Sequence, residues 1–264
     1  MKALSDALII TKRQLLQLAR VPEVLIFSTI QPVMFVLLFR YVFGGSIHTD
    51  QPGGYVQFLM PGIFVQTVAF TLAATASGLA EDMTKGLIDR FRSLPIARSA
   101  LVFGRTLGDS TLNIVVLLVM GLAGYLVGWR PTSGIFKILL AFLFLLAFGY
   151  ALSWVGIFAG LSARDVRAVQ NISFLVTFPL TFLSNAFAPT TGMPRALQYF
   201  AEWNPVSTMV AACRELFGLQ NQFGATAGTF PSEHPLMMSL IYMVVIMAIF
   251  IPLSVRKYNN AAKK

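Results

Sequence analysis

Five stretches of the chain are apolar almost throughout: 24–43, 55–80, 107–128, 136–160 and 236–255. Each can cross a lipid layer as one helix, because a hydrocarbon core of ~30 Å needs ~20 residues. A sixth stretch, 170–188, carries no charge and is long enough, but Ser, Thr and Asn punctuate it and Pro179 predicts a kink. The pattern predicts an all-α membrane protein with six transmembrane helices. Helices stitched across a bilayer bury their contacts together, so 1–264 reads as a single domain.

Between these stretches three polar segments have helical patterning of their own. In 1–22, Leu4, Leu8, Leu15 and Leu18 recur on one face, which predicts an amphipathic helix lying along the membrane interface. Charges run through its first twenty residues with no apolar core or small-residue cleavage site, so a cleaved signal is not expected. Segment 81–105 is the densest in charge, and within it Leu87, Ile88, Phe91 and Leu94 share a helical face that Pro95 terminates. An apolar stripe with a basic flank suits docking onto a partner, and it equally suits a basic loop folded back on the bilayer surface. In 189–235, Asn204 and Pro205 form a helix start and Gly218 a stop, with a shorter helix expected from Pro194 to Trp203. Two short helices there predict a re-entrant helical hairpin, with Glu202, Arg214 and Glu215 placed to stay wet or to pair.

Composition makes lipid the solvent. The chain is 56% hydrophobic and 12% charged, with mean hydropathy +0.71, more apolar surface than a soluble domain could enclose. Its net charge of +9 is not gathered on a segment with interleaved aromatics, so no nucleic acid partner is expected. Four Lys and Arg precede the first span, five lie between the second and third, two between the fourth and fifth, and four follow the last. Those fifteen of twenty fall on one side, which predicts that both termini are cytoplasmic. Cys213 stands alone, which excludes a disulfide within the chain and a CxxC metal site. His48 and His234 fall in outer loops, so no metal site is expected.

The spans offer mildly polar, aromatic walls. The fifth carries Ser173, Thr177, Thr181 and Asn185 at four-residue spacing beside Phe174, Phe178 and Phe182. The second offers Thr67, Thr71 and Thr75, and the first offers Gln31 beside Pro32 with Phe27 and Phe35. Such walls suit a hydrophobic or amphiphilic passenger better than an ion; small hydroxylated residues also glue membrane helices together. Gly149, Ser153, Gly156 and Gly160 keep one face of the fourth span small for close packing. No GxxxxGK[ST] loop occurs, so ATP phosphates have no binding site in these residues. Asp109 is placed at a span end, and with no deep acid or base a proton- or sodium-coupled carrier and an intramembrane enzyme are both disfavoured.

Two runs carry a family likeness. Glu81, Gly86, Leu87, Ile88, Asp89, Arg90, Leu94 and Pro95, followed by Pro189, Met193, Pro194, Leu197, Asn204, Pro205 and Ser207, stand in the order and spacing of type-2 ABC exporter permeases. The chain resembles most closely their daunorubicin-resistance-like members from actinobacteria. The resemblance implies a half-transporter in the bacterial cell (inner) membrane that pairs with a second permease, as a homodimer or heterodimer. It implies a separate nucleotide-binding ATPase subunit that holds ATP and Mg, with no cofactor in this chain. A cytoplasmic coupling helix would receive that subunit through Glu81, Gly86, Leu87, Ile88, Arg90, Phe91, Leu94 and Pro95. The substrate pathway would use Phe27, Gln31, Phe35, Thr67, Thr71, Phe174, Thr177, Phe178, Thr181 and Asn185, with the hairpin, including Asn204 and Pro205, as an outer gate. A drug, antibiotic or lipid is the passenger the likeness favours, with a lipid-linked glycan or cell-wall precursor as the alternative.

Overall fold

The computed structural model of the chain describes residues 22–45, 53–85, 98–162, 165–219 and 228–261. Among them the chain is helical, without a strand. The interfacial segment 1–21 and all the coupling residues except Glu81 lie outside the described residues.

Helix α1, Pro22–Leu38, passes into a π-helical turn, Phe39–Phe43. Helices α2, Tyr55–Ala69, and α3, Thr71–Thr84, form one run. Phe70 joins them, donating its N–H to Gln66 O at 3.0 Å and accepting from Ala74 N at 3.2 Å. Then follow α4, Arg98–Val127, α5, Ile135–Gly160, and α6, Val166–Phe182. A 3-10 turn, Thr190–Gly192, leads to α7, Arg195–Glu202, and α8, Pro205–Leu216. A single-turn helix, α9, Phe230–Glu233, precedes α10, Pro235–Ala261. Four runs are long and apolar enough to cross a membrane: Tyr55–Thr84, Phe103–Val127, Ile135–Gly160 and Pro235–Tyr258. Ser28–Phe43 is a shorter apolar helix.

The stretch predicted to span 170–188 is helical only to Phe182. Its end follows from local chemistry. The last carbonyls of a helix have no partner within it, and the Asn204 amide takes two at this end, donating to Leu180 O at 2.7 Å and Leu183 O at 3.3 Å. Asn204 also caps α8, its Oδ1 accepting from Val206 N at 2.9 Å. At the far end of α8, Gly218 adopts φ +79°, which suits a residue without Cβ.

Burial shows which helix is the axis. All but one residue of α2 is buried, and its apolar side chains join those of α8 in the main core, with Phe64, Trp129 and Phe217 packed edge to face. Large apolar residues of the outer helices stay uncovered, among them Leu118, Leu126, Phe136, Leu143, Leu175 and Val244. Lipid as solvent explains that distribution. The small face of α5 meets α3 at backbone distance: a Cβ on Gly156 would stand 2.5 Å from Leu72 O, and one on Gly160 2.7 Å from Ala76 O. Close approach of this kind is what small-residue faces permit.

Candidate functional site

A cavity of about 270 Å³ opens between α1, α2, α3 and α4. From α1 it is lined by Ser28, Gln31, Pro32 and Phe35, from α2 by Gln66 and Thr67, and from α4 by Asp109, Leu112, Asn113 and Val116. Phe70 at the joint, with Thr71 and Ala74 of α3, completes the wall. Four residues expected in a passenger pathway, Gln31, Phe35, Thr67 and Thr71, are thus brought together. They meet because α1 and the α2–α3 run present their mildly polar stripes to the same space.

The wall has a regular polar edge. Thr71 Oγ1 donates to Asn113 Oδ1 at 3.0 Å, and one turn along α3, Thr75 Oγ1 donates to Asp109 Oδ2 at 2.6 Å. These two rungs tie α3 to α4. Gln66 is 3% exposed, and its Nε2 has no hydrogen-bond partner among the described residues. Arg105, one turn from Asp109 on α4, is engaged by Asp82 of α3.

Asp109 is a correction to the sequence reading, which put it at a span end. Helix α4 begins at Arg98, so Asp109 stands three turns inside it and within the span Phe103–Val127. Hydropathy rises only near residue 107, which hid the first turns of the helix. Asn113 and Gln66 were missed too, since isolated amides inside apolar runs lower hydropathy little.

The stripe on α6 lies elsewhere. Ser173, Thr177 and Thr181 are buried, on the face that carries Val169 against Ala76 and Ala80 of α3. Thr181 Oγ1 turns back on its own helix, donating to Thr177 O at 2.9 Å. Phe174 and Phe178 face outward from α6 and are half exposed. They continue an aromatic row: Phe70 to Phe174 at 6.5 Å, Phe174 to Phe178 at 5.2 Å and Phe178 to Phe182 at 4.2 Å. From Phe182 the row passes to Phe187 at 5.0 Å and on to Phe39 at 4.9 Å. The backbone of Phe27 lies in α1. Asn185 is buried beyond the end of α6, and Asn204 and Pro205 start α8.

Arg214 is the second correction. Expected to stay wet or to pair, it is fully buried in α8 and meets no carboxylate among the described residues. Its Nη2 donates to Asn185 O at 2.7 Å and Phe58 O at 3.1 Å, while the guanidinium lies 3.8 Å over the Phe58 ring. Backbone carbonyls and a ring face replace a counter-ion, a role the planar, weakly hydrated guanidinium suits. Glu202 is also enclosed. Burial raises its carboxyl above the ordinary range, with Thr229 beside it offsetting part of that. Glu215 alone of the three stays exposed.

Comparison with known proteins finds membrane transport relatives. The family model described as ABC-2 type transporter matches residues 6–217. The daunorubicin resistance ABC transporter permease protein DrrB1 of Streptomyces coeruleorubidus is 34% identical over 94% of this chain and 84% of its own length. A putative transport permease, ycf38, of Cyanophora paradoxa is 28% identical over 81% of this chain and 74% of its own. The probable doxorubicin resistance ABC transporter permease protein DrrC of Mycobacterium tuberculosis is 23% identical over 80% and 76%.

Proposed function

The chain belongs to the ABC-2 type transporter family, and from that membership we propose that it is the permease subunit of an ATP-driven exporter of hydrophobic or amphiphilic molecules. It is an integral membrane protein. The observation that carries the reading is the cavity between α1 and α4, whose aromatic, hydroxyl and amide side chains offer an amphiphile both a greasy surface and hydrogen bonds. The relatives named for daunorubicin and doxorubicin resistance support an antibiotic or other drug as passenger.

In this reading the six helices predicted from hydropathy all span, with both termini on the cytoplasmic side. The short helices α7 and α8 sit toward the outer face as a gate. The half-exposed faces of α1 and α6, bearing Met34, Leu175 and Phe178, meet a second permease, and the passenger crosses between the two copies. A separate ATPase subunit binds ATP and Mg and docks on 81–95. Its closure moves that segment, and through α3 and α4 the cavity changes exposure from one side toward the other. ATP achieves this only through contacts that differ between the two states.

The test is co-purification in detergent with the candidate ATPase, followed by ATPase and export assays of the reconstituted complex. Substituting Leu87, Phe91 and Leu94 with Asp should leave the permease folded while abolishing stimulated ATPase activity. Unchanged stimulation in that triple variant refutes the docking assignment, and export that runs on a proton or sodium gradient without ATPase refutes the class.

A further inference from the structure

The two rungs between α3 and α4 differ in one atom type. At Thr71 the acceptor is the neutral amide of Asn113, and at Thr75 it is the carboxylate of Asp109. Both residues line the same cavity, and both threonines donate through Oγ1. A neutral amide therefore suffices to hold these helices together. A carboxylate in that position costs far more, because removing a charge from water is expensive unless another charge answers it. Among the described residues no Lys or Arg lies within ion-pair distance of Asp109; Arg105, one turn away on α4, acts on it through space but is bonded to Asp82, so one guanidinium serves two carboxylates. One negative charge is left over, and helix packing does not explain it.

Three further features of the wall point to a ligand. Phe35 and Phe70 line the space, and the Gln66 amide nitrogen is buried there without a partner among the described residues. Ring faces attract cations. An unpartnered buried donor calls for an acceptor.

We infer that the cavity selects passengers carrying a positive charge, with Asp109 as the specificity-determining residue that receives the cationic group and Gln66 as donor to a polar atom elsewhere on the same molecule. The ligand class is an amphiphile with an organic ammonium on an aromatic or aliphatic body. The inference rests on the cavity being the passenger site of the exporter.

The test uses the full chain, purified in detergent, with two fluorescent probes that share one body: diphenylhexatriene and its trimethylammonium derivative. Energy transfer from the protein's tryptophans reports binding of each, and comparing variants in the same detergent cancels partition into micelles. The permanent charge keeps pH out of the comparison. Wild type should favour the cation by about tenfold or more, the worth of one charge-assisted contact. Asp109→Asn should remove that preference and leave the neutral probe unchanged, since Asn113 shows that an amide is accommodated in such a rung. Thr75→Val and Asp109→Glu, which keep the carboxylate, should retain it.

Equal weakening of both probes in Asp109→Asn assigns Asp109 to structure and overturns the inference. So does a preference that survives the substitution, or a wild type without one. Should Asp109→Asn not fold, loss of the preference in Asp109→Glu overturns it, and retention there with a wild-type preference supports it. Failure of the exporter reading shows separately, as absence of an ATPase partner and of export.

Discussion

Gly62 tests how tightly α2 is seated. A methyl group there would lie 2.7 Å from the carbonyl carbon of Ala186 and 2.8 Å from its Cα, with the carbonyl oxygen nearer still. Carbon atoms at rest stand ~3.5–4.0 Å apart, so residues 183–188 would have to retreat by about 1 Å. Both sides of the clash are backbone, and no side chain can rotate away. Overpacking of this kind costs ~1–3 kcal/mol. The retreat also stretches Arg214 Nη2 to Asn185 O, now 2.7 Å, and Tyr55 Oη to Phe187 O, now 2.9 Å, each worth ~1 kcal/mol or more. Against this, alanine is the better helix former by ~1 kcal/mol. Gly62→Ala should therefore lose ~2–4 kcal/mol, about 5–10 °C in Tm for a chain of this size. Gly121 is the control, because a Cβ there would meet only Phe142 Cζ, at 3.8 Å. Gly121→Ala should keep its propensity gain and melt about 2 °C higher. Cys213 supplies the assay, being the single cysteine and fully buried. A fluorogenic thiol reagent reports its exposure as the protein melts in detergent. A Gly62→Ala melt at or above wild type, or shifts of the same sign in both variants, refutes the packing argument.

The same melt reads two other sites. Asn204→Ala removes the cap on Val206 N and both donations to the end of α6, for a loss of ~2–3 kcal/mol. Asn204→Asp keeps the cap acceptor and loses only the donors, so its melt should fall between the alanine variant and wild type; equal melts for Asp and Ala deny the donations any weight. At Glu202 the carboxyl is pushed up by burial, so the folded state holds its proton more tightly than the unfolded chain. Its contribution to stability is complete below the ordinary Glu range, ~4.3, and is lost as pH rises through the raised folded value. Glu202→Gln should then melt above wild type at pH 8 and converge with it near about pH 4, whereas a constant difference across pH contradicts the shift.

What the sequence reveals divides along physical lines. Long apolar runs in 55–80, 107–128, 136–160 and 236–255 announce helices because lipid leaves the backbone no other partner. Asn204, Pro205 and Gly218 announce α8 because caps are local chemistry. Partnership between helices is not local, and there the reading diverges. Thr71 and Thr177 look alike in sequence, each a hydroxyl at four-residue spacing. One faces a cavity and donates to Asn113, while the other is buried on the packing face of α6. The helices that pack against each, α4 beside Thr71 and α3 beside the face of α6, separate the two. Arg214 diverges for the opposite reason. A charge on a short helix of a polar segment reads as wet or paired, and its burial depends on carbonyls from elsewhere, at Phe58 within α2 and at Asn185 beyond the end of α6. The end of α6 is itself held by the Asn204 amide, which takes Leu180 O and Leu183 O. Three contacts distant in sequence thus converge on residues 183–188: Arg214 on Asn185, Tyr55 on Phe187 and Gly62 against Ala186. Each partner is ordinary in its own segment. The fixed position of α8 against α2 follows from their convergence, which no periodicity along the chain encodes.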